Sequence, residues 1–208
     1  MTPRRVETTP FGHLTIAFDD SVLRPRPWTA RQSELAVELA SRSPEGSVLE
    51  IFSGAGQIGL LAASMMERHL VQVDLSERAC AFARSNADAA GARVDIRCGS
   101  PEAVLDEDER FAVVIADPPW VPTDEIGEFP EDPPLAIDGG VDGLGLARHS
   151  IALIGHHLLD GGHAVVQVGP GAQAESLVDA AASDAGLECV AVERFDRGVL
   201  VGLRKNLG

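Results

Sequence analysis

No apolar run in this sequence is long enough to cross a bilayer; the longest, such as Phe111 to Ala116, fall far short of the roughly 20 residues a spanning helix needs. The opening MTPRRVETTP carries arginines but no apolar stretch behind them, so a secretory leader is not expected. Cysteine is scarce. Cys80, Cys98 and Cys189 are odd in number, widely spaced and form no CxxC pair, which argues against both a disulfide framework and a thiolate metal site. Histidine offers no metal site either: none of the six stands four residues from another histidine or a cysteine, and the adjacent His156 and His157 point to different sides of a helix. No Ser/His/Asp arrangement stands out. Positive charge is also short, with 17 Lys and Arg against 32 Asp and Glu, a net −15. A protein gripping long RNA or DNA sets many cations against phosphates, so that class of partner is disfavoured. Arg4, Arg5, Arg24, Arg26 and Arg31 cluster near the start but read as a solvated face. The expectation is a soluble cytoplasmic protein, without membrane association, metal or long nucleic acid.

What is present suits one compact domain. At 208 residues and 45% hydrophobic content, a chain of this size buries roughly 70% of its unfolded surface. From Ser47 onward short apolar runs alternate with helical stretches, the mark of βαβ units and a mostly parallel sheet. Strands are expected at 47–52, 70–74, 93–97, 110–116, 162–168, 187–193 and 198–204, and helices at Ile58 to Arg68, Ser76 to Ala90, Leu144 to Leu159 and Ala172 to Ala185. The last two strands are joined only by Arg194 to Arg197, too short for a parallel crossover, so they form a terminal antiparallel hairpin. The fold class is therefore a doubly wound, Rossmann-like α/β sheet of seven strands. Residues 1–43 read as an N-terminal extension to a core at 44–208: Leu14 to Phe18 alternates like a strand, and Thr29 is placed to cap a helix reaching about Ser41 with Leu35, Ala36, Leu39 and Ala40 inward. The segment Pro118 to Gly143, with six prolines and seven acidic residues, follows a strand end and is a candidate lid.

Val48 to Gly59 reads VLEIFSGAGQIG, a strand entering a glycine turn and then a helix, and Asp74 closes the next strand twenty residues past Gly54. Gly54 and Gly56 let the backbone turn tightly against a ligand, and an acid at the next strand end accepts hydrogen bonds from ribose hydroxyls. That pattern alone fits a nicotinamide dinucleotide as well. Glu50 discriminates, because a carboxylate four residues before Gly54 repels a pyrophosphate but attracts the sulfonium and amino group of S-adenosyl-L-methionine (SAM). The stretch resembles the first motif of the class I methyltransferases, an acidic residue followed by G-x-G-x-G, with Phe52 in place of the first glycine. The resemblance implies that Glu50 steers the methionine amino group through its surroundings and that Gly54 and Gly56 line the methionine. Ile51, Ser53 and Ala55 belong to the same surface, Asp74 and Leu75 to the ribose, and Gly99 and Ser100 to the adenine, Ser100 standing where an acidic residue often occurs.

The strand Phe111 to Ala116 delivers Asp117-Pro118-Pro119-Trp120 to the sheet edge. Two consecutive prolines fix φ and remove two donors, leaving carbonyls as rigid acceptors. A nitrogen awaiting methylation needs that setting: its N–H groups are held by the Asp117 carboxylate and the Pro118 carbonyl while its lone pair faces the donor methyl. As the bond forms the nitrogen becomes positive, which a fixed carboxylate and carbonyl dipoles stabilise most in the transition state. Trp120 stacks on the acceptor or binds it by cation–π attraction. Arg26, Trp28 and Thr29 are further candidates for the substrate pocket, with Arg26 and Arg148 able to meet either a substrate carboxylate or the acids of the lid.

The tetrapeptide resembles the [DNS]-P-P-[YFW] signature of amino-group methyltransferases, which act on glutamine amides, adenine N6, cytosine N4 or guanine N2. VLRPRPWT at 22–29 and PLAIDGGVDGL at 134–144 are similar to segments of the protein-glutamine N5-methyltransferases, the HemK/PrmC family. That resemblance implies methyl transfer from SAM to an amide, amine or guanidine nitrogen of a protein side chain or small molecule, with an exocyclic amine of RNA or DNA as the alternative. Two departures bear on the acceptor. Family members carry Asn-Pro-Pro-Tyr, so a carboxylate at 117 favours an acceptor that becomes cationic. Bacterial release-factor enzymes begin with a helical substrate-gripping domain, whereas about 28 residues precede the first long helix here. A different or smaller acceptor, a helper subunit or a homodimer is the expectation that follows.

Overall fold

The computed structural model describes residues 4–207. The chain order is β1 (Glu7–Phe11), β2 (Leu14–Phe18), α1 (Ala30–Ala40), β3 (Val48–Ile51), α2 (Gln57–Met65), β4 (Leu70–Asp74), α3 (Glu77–Ala90), β5 (Val94–Cys98) and α4 (Pro101–Val104). It continues with β6 (Phe111–Ala116), α5 (Pro134–Ile137), α6 (Gly145–His157), β7 (Leu158–Val168), α7 (Gln173–Asp184), β8 (Leu187–Phe195) and β9 (Gly198–Lys205). Seven strands form one sheet in the order β5-β4-β3-β6-β7-β9-β8, and β1-β2 form a separate hairpin. The doubly wound α/β fold with its terminal hairpin is thus present. β9 slots antiparallel between β7 and β8, while the other neighbouring strands run parallel.

Period-two burial divides the sheet between two apolar layers. Val48, Leu70, Val113, Ile115, Val165 and Leu200 face α1, α2 and α3 through Leu35, Leu39, Ile58, Leu61 and Phe82. Their neighbours Leu49, Ile51, Val114, Ala116, Val166 and Val201 face α6 and α7 through Ala147, Ile151, Ile154, Leu177 and Ala181. Strands buried on both faces read as continuous apolar runs. Leu35, Ala36, Leu39 and Ala40 point inward as the helical spacing requires.

Three expectations need correction. Thr29 does not cap α1: its φ and ψ are already helical, and Oγ1 donates to the Arg26 carbonyl at 2.9 Å, closing a 3-10 turn at Pro27–Thr29. β7 begins at Leu158, four residues before the expected strand and inside the expected helix, and Gly161-Gly162 are absorbed by a register shift opposite Phe111 and Val113. β1 escaped the pattern because Pro10 interrupts it, a residue strands tolerate at an edge. This hairpin is tied to the core by Asn86 of α3: Oδ1 accepts from Ala17 N at 2.8 Å, and Nδ2 donates to Ala17 O at 3.0 Å and Ala55 O at 2.9 Å.

The chain winds outward from β3 to β5, then returns to place β6 on the other side of β3. Ligands of open α/β sheets bind beyond the carboxyl ends of strands at such a switch point. The glycine turn after β3 and Asp117 after β6 meet there.

Candidate functional site

Beyond Ile51 the backbone reverses through Phe52, whose φ of 59° is left-handed. A non-glycine residue held there costs on the order of 1–3 kcal/mol, which gives the family's glycine at this place a physical reason; here the ring packs against the core instead. Gly56, at φ 84°, caps α2, and a Cβ on it would lie 3.0 Å from the Gln72 amide. A Cβ on Gly54 would meet nothing within 4 Å, so that face of the turn is open. Ser53 is buried beside it with no partner for Oγ, while Ile51 and Ala55 are fully buried. Asp74, at the end of β4, accepts from Gly54 N at 2.7 Å and Ser76 N at 2.8 Å, and burial raises its pKa. Leu75 is exposed next to it; Gly99 donates to the Asp74 carbonyl at 2.9 Å, and Ser100 begins α4 at the end of β5. The open glycine turn, the unpaired hydroxyl and the flanking acid suit a nucleoside carrying an amino acid.

Glu50 adjoins the turn, as expected, but does not open on the ligand side. It is buried beneath the turn, with Oε1 accepting from Gly59 N at 3.0 Å and Oε2 from Gln72 Nε2 at 2.6 Å. Burial pushes its pKa up to about 8 against those two hydrogen bonds, with Asp117 and Asp74 adding repulsion. Glu50 therefore braces β3, α2 and β4, and its effect on a ligand is transmitted through the turn it supports.

Asp117 lies one residue beyond β6 at the edge of a cavity of about 650 Å³. Arg26, Trp28, Thr29, Pro118, Pro119 and Trp120 line the same cavity, so the acceptor-side candidates are brought together. Removal from water pushes the Asp117 carboxyl up to about 7, opposed by Arg26, and no hydrogen bond from the described residues supports it. The full negative charge anticipated at this position is therefore corrected: near neutrality the group is shared between acid and carboxylate, and when protonated it is neutral like an Asn. Trp120 is fixed by Gln173, which donates to the Trp120 carbonyl at 3.0 Å and accepts from Gly169 N at 2.8 Å. Gly169 has to be small, since a Cβ there would stand 2.7 Å from the Trp120 ring.

The segment after Trp120 folds over this cavity as a braced flap. Val121 N donates to Ile137 O at 2.9 Å, Gly139 N to Val121 O at 2.8 Å and Thr123 Oγ1 to Asp138 at 2.7 Å. Arg26 pairs with the buried Asp132 of the flap, and Arg148 with Asp142 at 2.7 Å. Both arginines thus meet flap acids. Arg4, Arg24 and Arg31 also pair with acids, so the basic cluster is largely neutralised.

Gln57 and Gln167 also line the cavity, and sequence reasoning missed both. Gln57 was discoverable as the polar residue following the last turn glycine. Gln167 is the one polar side chain in the run Ala164 to Val168. Among the described residues no group of three or more His, Cys, Asp or Glu is placed to hold a metal, and no helix is long and apolar enough to cross a membrane.

The sheet order, the glycine turn at the switch point and the Asp-Pro-Pro-Trp corner define a class I SAM-dependent methyltransferase. A family model described as "Methyltransferase domain" matches residues 48–129. A release factor glutamine methyltransferase from Gloeobacter violaceus is 30% identical over 200 residues, covering 92% of this chain and 69% of that protein. One from Geobacter sulfurreducens is 36% identical over 179 residues, covering 82% and 61%. The chain belongs to the family of release factor glutamine methyltransferases. It spans about three fifths of the length of most relatives in this group. Among solved structures, the T. thermophilus 16S rRNA N2 methyltransferase in complex with AdoMet and guanosine superimposes with a TM-score of 0.71 at 16% identity, over 99% of this chain and 52% of that one, a likeness of fold.

Proposed function

We propose that residues 1–208 act as one catalytic domain that methylates a side-chain nitrogen of a protein, a glutamine carboxamide as in the relatives' names, in the cytoplasm. The observation that carries this is the unpaired Asp117 carboxyl beside the rigid diproline, opening on a cavity next to the glycine turn. Ser53, Gly54 and Asp74, with Gly99 and Ser100 nearby, hold SAM, which when bound supplies an electrophilic methyl group on a positively charged sulfur. Asp117 and the Pro118 carbonyl accept hydrogen bonds from the two N–H groups of the acceptor and fix the direction of its lone pair. As that nitrogen turns positive, the same two acceptors stabilise it more than they stabilised the neutral amide. Asp117 then has a pKa suited to taking the leaving proton. Trp120, fixed by Gln173, walls the pocket, and the flap joined through Arg26 and Asp132 excludes water.

Calorimetric titration with SAM, S-adenosylhomocysteine and NADH tests the cofactor half. Binding of the first two alone supports it, and no affinity for either overturns it. Methyl transfer from labelled SAM to protein, sharply slowed in Asp117→Ala with SAM affinity kept, tests the acceptor half; transfer at the parent's rate in this variant refutes the assigned role.

A further inference from the structure

A glutamine in a protein core gives up water at both ends of its amide, and each end then needs a partner. Gln32, in the first turn of α1, is fully buried. Its Nε2 donates to Ala116 O at 2.9 Å and to Val165 O at 3.4 Å, whereas Oε1 has no partner among the described residues. Both facing atoms are carbonyl oxygens, so the NH2 end has to point at them. A leucine or methionine here would fill similar space without the orphaned oxygen, which costs on the order of 1–3 kcal/mol. What the amide offers in exchange is its hold on two carbonyls, one on β6 and one on β7.

The first of these carbonyls has a particular address. Ala116 ends β6, and its C=O belongs to the peptide group whose nitrogen is that of Asp117. That group is rigid and planar, so gripping its oxygen fixes the plane from which the Asp117 side chain departs. On the other side, Pro118 and Pro119 have fixed φ and no N–H. The Asp117 carboxyl lines the acceptor cavity and receives no hydrogen bond from the described residues, so its aim depends on the backbone that carries it. Arg26, Trp28 and Thr29, at the turn leading into α1, line the same cavity. Through Gln32, the acid and that part of the wall are referred to one helix.

We infer that Gln32 is a positioning residue for methyl transfer, fixing the Ala116–Asp117 peptide so that the Asp117 carboxyl faces the acceptor nitrogen. This rests on the proposed role of Asp117 and adds a residue from outside the cavity wall, which acts through that carboxyl. The next residue of the helix supplies a comparison. Ser33 is equally buried and donates from Oγ to Ile58 O of α2 at 2.8 Å, a bond of the same kind that does not reach the corner.

The test follows the Asp117 carboxyl by carbon NMR in the full chain, assigned by its loss in Asp117→Asn, for the parent, Gln32→Met and Ser33→Ala. S-adenosylhomocysteine affinity and methyl transfer from labelled SAM to protein are measured alongside. In the parent the carboxyl is expected to titrate at about 7, and the Gln32 side-chain NH2 signals to move with the same midpoint. Gln32→Met frees the peptide and lets the carboxyl turn toward water. Its midpoint is expected to fall toward the ordinary carboxylate range and transfer to slow about tenfold, with S-adenosylhomocysteine affinity unchanged. Ser33→Ala is expected to leave the Asp117 midpoint where it is. An unmoved midpoint in Gln32→Met, an equal shift in both variants, or NH2 signals that do not follow the titration of Asp117 overturns the inference; the last is read in the parent and needs no variant to fold. If the parent transfers no methyl group, the proposed function fails, and the midpoint and the NH2 signals still decide whether Gln32 aims the carboxyl.

Discussion

The two sides of the switch point treat their carboxyl groups differently. Under the glycine turn, the carboxyl oxygens of Glu50 and Asp74 are each engaged by an N–H of the protein. At the acceptor cavity, the Asp117 carboxyl receives no hydrogen bond from the described residues. A turn that receives one invariant ligand gains from being braced before the ligand arrives, since ordering is then already complete. A pocket that reads a side chain on another molecule keeps its hydrogen-bonding capacity for that molecule. The contrast predicts that damage on the first side lowers stability, and damage on the second lowers turnover or acceptor binding with the fold intact.

The largest effect belongs to the braced side. Gly59 lies inside α2 where a Cβ would stand 2.3 Å from Glu50 Oε2. Gly59→Ala forces the buried carboxyl away from Gly59 N and Gln72 together, and the expected cost is about 3 kcal/mol or more, seen as a large fall in melting temperature or as insoluble protein. A melting temperature within a degree or two of the parent would show that the brace is dispensable.

On the open side, Asp117→Ala is expected to lower kcat/KM by about 100-fold, with SAM affinity and melting temperature nearly unchanged. Asp117→Asn keeps an acceptor oxygen and should remain within about tenfold of the parent. The parent's rate should rise with pH through about 7, as the carboxyl ionises, and then level off; the Asn variant should show no such step. A step that persists in the Asn variant assigns the titration to another group. Smaller still is Arg26→Gln, which leaves Asp132 buried without its partner. KM for the acceptor should rise a few-fold and amide exchange across 122–143 should quicken, whereas a loss of SAM affinity would place Arg26 on the wrong side of the comparison.

Sequence carried the braced side further than the open one. Gly54, Gly56 and Asp74 were legible because a tight turn and a strand-end acid are local requirements, met within one βαβ unit. Asp117 to Trp120 were legible as a motif at a strand end. Glu50 was found but its partners were not, since nothing in VLEIF shows that Gly59 and Gln72 close on its carboxyl from two other elements. Gln57 and Gln167 were missed for the same reason: a glutamine becomes informative only when burial leaves its amide unpaired, and burial there is set by the packing of β6, β7 and the flap. The insertion of β9 between β7 and β8 was also beyond the pattern, because a short link dictates antiparallel pairing but not which strand takes the outer edge.

The smallest effect is in the pH dependence of stability, which the buried carboxyls of both sides share. Glu50 has a folded pKa of about 8 against an ordinary value of 4.5. Between those values the folded protein keeps a proton that the unfolded chain releases, so this group makes stability fall as pH rises, with no penalty below 4.5 and the full penalty above 8. Glu38 and Glu109 act in the opposite sense: held by Arg31 and Arg97, their pKa values are lowered, and the stability they contribute is lost as pH falls. Melting temperature should therefore pass through a maximum on the acid side of neutrality and decline toward pH 8.5. Glu50→Gln removes the proton that is at issue and should flatten the decline, and Asp117→Asn should do so by a comparable amount, because burial displaces both carboxyls upward to a similar extent. If Glu50→Gln leaves the decline as steep as in the parent, the buried brace is ionised in the native protein and its part in the pH dependence is refuted.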